Sequence, residues 1–132
     1  MLDLDHFKRV NDTYGHASGD LVLEHFSQKL KGALRTSDTA GRLGGEEFFV
    51  LMRGTTLAGL TELAQRVRSA MAAEPVQLNG LDLIVTVSIG GCLEENSEDR
   101  ILDSLARGDA ALYRAKEAGR ICVILDPGPG SA

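Results

Sequence analysis

Apolar positions recur along the chain at two periods, and the switches between them mark out its elements. Met1-Leu2-Asp3-Leu4-Asp5 alternates as a strand does, and it looks like the closing half of one. Phe7, Val10 and Tyr14 then share one side of a short helix over 7–14. Residues 15–19 read as a loop ahead of Asp20, a helix cap or first-turn acid. From Leu21 to Leu34, Val22, Leu23, Phe26, Leu30, Ala33 and Leu34 keep helical spacing, and Arg35 to Asp38 close that helix. Thr39–Leu43 and Glu47–Met52 form a hairpin around Gly44-Gly45, where positive φ angles suit a two-residue turn. Thr55-Thr56 caps a second long helix that buries Leu57, Leu60, Ala64, Val67 and Met71 and stops at Pro75.

A second hairpin pairs Val76–Leu78 with Leu81–Ile89 around Asn79-Gly80, and Gly90-Gly91 break or bulge its long strand. After a polar loop over 94–99, a third long helix runs from about Arg100 to Ala118. It buries Ile101, Leu105, Ala110 and Leu112 or Tyr113, and Gly119 stops it. Ile121–Leu125 is a last strand, and 126–132 is a loose tail. This order predicts one α+β domain over 1–125, an α/β sandwich whose central sheet is mixed but mostly antiparallel and flanked by helices.

Composition narrows the partners. The chain has 132 residues, enough for one real core, and its 43% hydrophobic and 25% charged content is that of a soluble globular domain. A net charge of −5 argues against nucleic acid, so a phosphate ligand needs local cations or a metal. Cys92 and Cys122 form no Cys-x-x-Cys pair and read as reduced core thiols. Asp3 and Asp5 directly after Met1-Leu2 leave no signal peptide, and no apolar run approaches the roughly 20 residues of a membrane span. The expected location is the cytoplasm, without membrane contact from this segment.

Four groups of residues can carry chemistry, and each also has a plain structural reading. Asp3 and Asp5, two apart at the end of a central strand, share a face. They either cap the next helix or join Glu46 and Glu47 of the hairpin tip in a carboxylate cluster for two metals. Lys116 and Arg120, four apart on one helix side, either offset the helix C-terminus in solvent or clamp the β and γ phosphates of a nucleotide, with Lys8 as a third cation. Asn11 and Asp20 flank the 15–19 loop. The carboxylate can accept from guanine N1–H and its 2-amino group, unless Asp20 serves only as a cap. Arg35 and Asp38 form an i,i+3 ion pair.

Read in order, these residues spell a family. Asp3-Leu4-Asp5-His6-Phe7-Lys8, Asn11-Asp12-Thr13-Tyr14-Gly15-His16, Gly19-Asp20, Arg42-Leu43-Gly44-Gly45-Glu46-Glu47-Phe48, Val87-Ser88-Ile89-Gly90 and Ala111-Leu112-Tyr113-Arg114-Ala115-Lys116 follow the order of the GGDEF domain. The chain up to about Leu125 resembles a bacterial diguanylate cyclase. The resemblance implies a fold like the adenylyl cyclase and polymerase palm, and conversion of two GTP into cyclic di-GMP and two pyrophosphates by a homodimer. It implies that Asp3, Glu46 and the Leu4 carbonyl bind Mg²⁺ (or Mn²⁺), with Glu47 assisting and Glu46 helping to deprotonate the attacking 3′-hydroxyl. Phe7 and Lys8 would line the triphosphate, Asn11 and Asp20 would hold guanine, and Lys116 and Arg120 would contact phosphates. Gly44 and Gly45 would let the nucleotide approach the backbone. Arg35 and Asp38, with Arg66, match the family's inhibitory product site.

The family pattern also expects a helix, a turn with an Asn-Arg pair and the first half of the first strand ahead of Asp3, together with an upstream sensory domain. Without that helix, an exposed apolar patch on the sheet is expected. Gly108, where alanine is usual, and Ile121-Cys122, where polar residues are common, are smaller departures.

Overall fold

The computed structural model describes residues 1–93, 101–119 and 123–126. The expected loop over 94–99, Arg120, Ile121, Cys122 and residues 127–132 lie outside the described residues. Seven strands and four helices are described: β1 (Leu2–Leu4), α1 (Phe7–Tyr14), α2 (His16–Ala33), β2 (Thr39–Gly44), β3 (Glu47–Leu51), α3 (Leu57–Ala73), β4 (Val76–Leu78), β5 (Leu81–Leu83), β6 (Val87–Cys92), α4 (Ile101–Glu117) and β7 (Val123–Asp126).

The main sheet has the order β2-β3-β1-β6-β7, antiparallel throughout except for the parallel β6–β7 pair. This is the mixed, mostly antiparallel α+β palm-like architecture expected, with β1 at its centre. Register assigns the faces. Leu2 stands opposite Phe48 and Ile89, and Leu4 opposite Val87, so these apolar side chains share one face. That face carries the core with Val22, Phe26 and Leu30 of α2 and Leu63, Val67 and Met71 of α3. Phe26 meets Phe48 edge-on at 4.7 Å between ring centroids, an arrangement worth about 1 kcal/mol beyond the area it buries. Asp3, Ser88 and Gly90 therefore point to the other face, where α4 lies.

Gly90 explains how close α4 lies. A Cβ there would sit 2.5 Å from the Ala111 carbonyl carbon and the Leu112 Cα, so only glycine lets this helix rest on β6. Gly90-Gly91 thus continue β6 to Cys92 rather than breaking it. The run 81–89 is not one strand. β4 and β5 form a separate two-stranded sheet, and the chain leaves it at Ile84 so that β6 can pair with β1. Among the described side chains of α4, which exclude that of Ile101, the buried hydrophobic ones are Ala111, Leu112 and Ala115, whereas Tyr113 is 65% exposed and Ala110 faces out. Tyr14 and Leu57 are likewise exposed, not core.

Helix boundaries differ most at residue 15. Gly15, at φ 91°, is the whole break between α1 and α2, and α2 is already helical at His16. Asp20 lies inside α2 and caps nothing. The hairpin turn is shifted by one residue as well. Gly44 pairs with Glu47, a bulge at Leu43 takes up the extra residue, and Gly45-Glu46 form the tip. Asp126, assigned to the tail, belongs to β7 opposite Cys92. Thr56 caps α3 by accepting from the Gly59 N–H at 3.1 Å, and Gly119 ends α4 at φ 108°, as predicted.

An apolar groove opens at the start of β1, lined by Met1, Leu60, Leu63, Ile89, Cys92 and Leu105 among others. The Met1 backbone nitrogen donates to the Gly90 carbonyl at 2.8 Å. Gly108 leaves space for the Met1 side chain there.

Candidate active site

The far end of β1 opens into a polar cleft of about 460 Å³. Asp3, Leu4, Phe7, Lys8, Glu46 and Lys116 all line it, brought from β1, α1, the hairpin tip and α4. His6, Arg9 and Asp12 line it too and were not foreseen. Helical spacing from Lys8 already placed Arg9 and Asp12 on α1, but nothing in the sequence said how far round α1 the cleft extends.

Asp3 is 3% exposed and its carboxylate is ion-paired with the Lys116 ammonium, whose side chain keeps 31% exposure. Burial pushes the Asp3 pKa up, Lys116 opposes that, and the nearby Glu46 and Glu47 add to it. The hairpin delivers Glu46 by backbone pairing. The Leu4 N–H donates to the Glu46 carbonyl at 3.3 Å, and Asp3 is in register with Glu47. Arg42 braces the tip by donating from Nε to the Gly45 carbonyl at 2.8 Å. Gly44 and Gly45 have positive φ and open space where a Cβ would project. Glu47 neighbours Asp3 but is not among the residues lining the cleft.

Asp5 shares the Asp3 face, as the spacing predicted, but it hydrogen-bonds to the neighbouring strand and is not among the residues lining the cleft. Its Oδ1 accepts from the Ser88 hydroxyl at 2.6 Å and its Oδ2 from the Thr86 hydroxyl at 2.7 Å. Position α1-Ncap is His6, without a side-chain cap. Among the described residues no three acids, histidines or cysteines gather as a metal cluster. The donor set still fits a hard cation, because Mg²⁺ commonly takes one or two carboxylates and completes its shell with phosphate and water. Asp3, Glu46 and the Leu4 carbonyl would supply that set, and Asp3 already holds the Lys116 ammonium as a positive partner.

Asn11 and Asp20 lie beside this cleft, not among its lining residues. Asn11 packs at the α1–α2 corner, where its amide and the Phe7 ring lie against buried Gly19, and Asp20 follows Gly19 in α2. Arg120 lies outside the described residues.

Arg35, Asp38 and Arg66 also come together. Arg35 donates to Asp38 from its backbone N–H at 2.8 Å and from its guanidinium Nη2 at 3.0 Å, and reaches the Arg53 carbonyl at 3.2 Å. Arg66 donates to the Ala33 carbonyl at 2.9 Å. The hydrogen bond from Arg35 holds the Asp38 pKa below its usual value, and the Arg66 charge helps.

Residues 1–122 match the family model described as diguanylate cyclase, GGDEF domain. The chain belongs to the GGDEF family. It is 39% identical over 125 residues to Diguanylate cyclase A of Treponema denticola, a match covering 95% of this chain and 34% of that protein. It is 44% identical over 122 residues to Diguanylate cyclase DgcP of Pseudomonas aeruginosa, covering 91% and 18% respectively. The GGDEF domain of DgcB from Caulobacter crescentus, solved in complex with c-di-GMP, superposes with a TM-score of 0.88 at 31% identity, over 94% of this chain and 74% of that one. This GGDEF chain thus spans about a third or less of the length of each of these two curated relatives. No helix among its described residues is long and apolar enough to cross a membrane.

Proposed function

We propose that this GGDEF chain is a diguanylate cyclase catalytic module that condenses two GTP into cyclic di-GMP and two pyrophosphates. The observation that carries the reading is the convergence of Asp3, Leu4, Phe7, Lys8, Glu46 and Lys116 on one cleft. In each of two equivalent steps the 3′-oxygen of one GTP attacks the α-phosphorus of the other, and pyrophosphate leaves. Bound Mg²⁺ or Mn²⁺ would neutralise charge on the phosphates and acidify the 3′-hydroxyl. Asp3, Glu46 and the Leu4 carbonyl would hold it, and Glu46 would help take the hydroxyl proton, with Glu47 adding negative charge nearby. Lys8 and Lys116 bind the triphosphate, joined by Arg120, while the backbone at Phe7, Gly44 and Gly45 lets it lie close. Asn11 and Asp20 read guanine. Preorganised charge and orientation then supply most of the rate.

One cleft holds one GTP, so two chains face each other as a homodimer. Its nucleotide substrate places the work in the cytoplasm. Arg35, Asp38 and Arg66 form the inhibitory product site. That same preassembled cluster favours a second reading, a receptor module that binds cyclic di-GMP without making it. Incubation with GTP and Mg²⁺, following cyclic di-GMP by chromatography and product binding by calorimetry, separates them. Turnover supports the cyclase, binding alone the receptor, and neither result would leave the chain an inert domain.

A further inference from the structure

The β1–α1 junction makes an abrupt turn. His6, a non-glycine residue, sits in the left-handed region at φ 58° and ψ 30°, between a central strand and the first turn of α1. Such a conformation persists only where its surroundings enforce it. Asp5, immediately before it, is 5% exposed and tied to one segment three ways. Its backbone N–H donates to the Thr86 carbonyl at 2.9 Å, and its two carboxylate oxygens each accept a hydroxyl proton, from Thr86 and from Ser88. Ser88 is fully buried and in register with Asp3. The carboxylate therefore stitches the end of β1 to the start of β6 directly after Asp3 and Leu4, which line the cleft.

We propose that Asp5 is a positioning residue of the cleft, which fixes this turn so that Asp3 and the Leu4 carbonyl stay aimed at a cation, and is not itself a ligand. The inference rests on the cyclase reading of that cleft. Two carboxylates two residues apart thus divide their work. Asp3 faces the Lys116 ammonium, while the oxygens of Asp5 face hydroxyls of the neighbouring strand.

The division is testable because a hydroxyl can donate or accept. Asp5→Asn keeps both of these links, its carbonyl oxygen accepting from one hydroxyl and its amide donating to the other, and removes the charge. Asp5→Ala removes both links. Kd for Mn²⁺ with guanosine 5′-(α,β-methylene)triphosphate, measured by calorimetry well below each melting transition, should rise roughly 10-fold or more in Asp5→Ala, as is common when groups behind a ligand are lost. In Asp5→Asn it should stay within about 3-fold of wild type. Ser88→Ala, the fallback if Asp5→Ala does not fold, should weaken binding in the same direction.

An Asp5→Asn loss as large as that of Asp5→Ala would overturn the proposal, because charge and not position would then matter. A lowered melting temperature with unchanged Kd in Asp5→Ala, or wild-type affinity in Ser88→Ala, would overturn it too. Failure of the cyclase reading looks different, since the wild type itself would bind no Mn²⁺–nucleotide and form no cyclic di-GMP.

Discussion

Gly90→Ala tests the idea that one missing Cβ sets the height of α4 and, through it, the cleft. The added methyl would meet backbone, not a movable side chain, at 2.5 Å from both the Ala111 carbonyl carbon and the Leu112 Cα. Ordinary contact begins at 3.4 Å and the Leu112 backbone nitrogen is closer still, so the helix must retreat by more than about 1 Å or the strand must bend. Either change loosens the packing of Ala111, Leu112 and Ala115, which are all but completely buried. Overpacking of this kind costs about 1–3 kcal/mol and more where backbone must move, so about 3 kcal/mol is expected. At this chain length that lowers the melting temperature by roughly 10 °C. Lys116 rides on the same helix one turn beyond Leu112, so its ion pair with Asp3 should be strained as well. Thermal unfolding followed by circular dichroism measures the first effect, and nucleotide affinity the second. Gly32→Ala is the control, because a Cβ there meets nothing within 4 Å and its helical site should gain about 0.5 kcal/mol. A Gly90→Ala protein melting within a degree of wild type, with unchanged nucleotide affinity, would refute the reasoning.

Three further outcomes follow from the geometry. Lys116→Met leaves the buried Asp3 carboxylate without its cation. Because burial already raises that pKa and Lys116 opposes the rise, the variant's stability deficit should be small below pH 3.8. It should grow to about 1–3 kcal/mol as pH increases through the raised pKa, read by urea unfolding across pH. Gly19→Ala drives a methyl into the Asn11 amide and to 3.3 Å from the Phe7 ring, so KM for GTP should rise about 10-fold in steady-state assays while ATP discrimination weakens. Arg35→Ala should raise the Asp38 pKa toward 3.8, seen by carboxyl NMR. The small stability this exposed pair adds above pH 3.8, lost in wild type as pH falls through the depressed pKa, should then be absent, and cyclic di-GMP should inhibit at least 10-fold less well.

Much of the site was legible because its chemistry is local. Asp3, Lys8, Glu46 and Lys116 stood out by residue type and spacing, Leu4 and Phe7 by the family resemblance, and the cleft gathers all six. The errors have physical causes. The apolar run from Leu81 to Ile89 carries strand propensity throughout, so no residue announced that its pairing partner changes at Ile84. Residues 15–19 contain two glycines, yet only Gly15 leaves helical geometry, because Gly19 is needed for close approach of α1 and not for a turn. The hairpin slipped by one because a bulge at Leu43 cannot be counted without its partner strand.

The sequence by itself determined most of the element order and the mixed α+β sheet class, since these depend on periodicity, and its motifs marked the family. Only the tertiary structure decided what each acid faces. Asp3 and Asp5 have the same side-chain chemistry and share a face, but register places Lys116 against one and the hydroxyls of Thr86 and Ser88 against the other. The reason is that a carboxylate's role is fixed by the partners within hydrogen-bond reach, and here those partners lie more than eighty residues away along the chain.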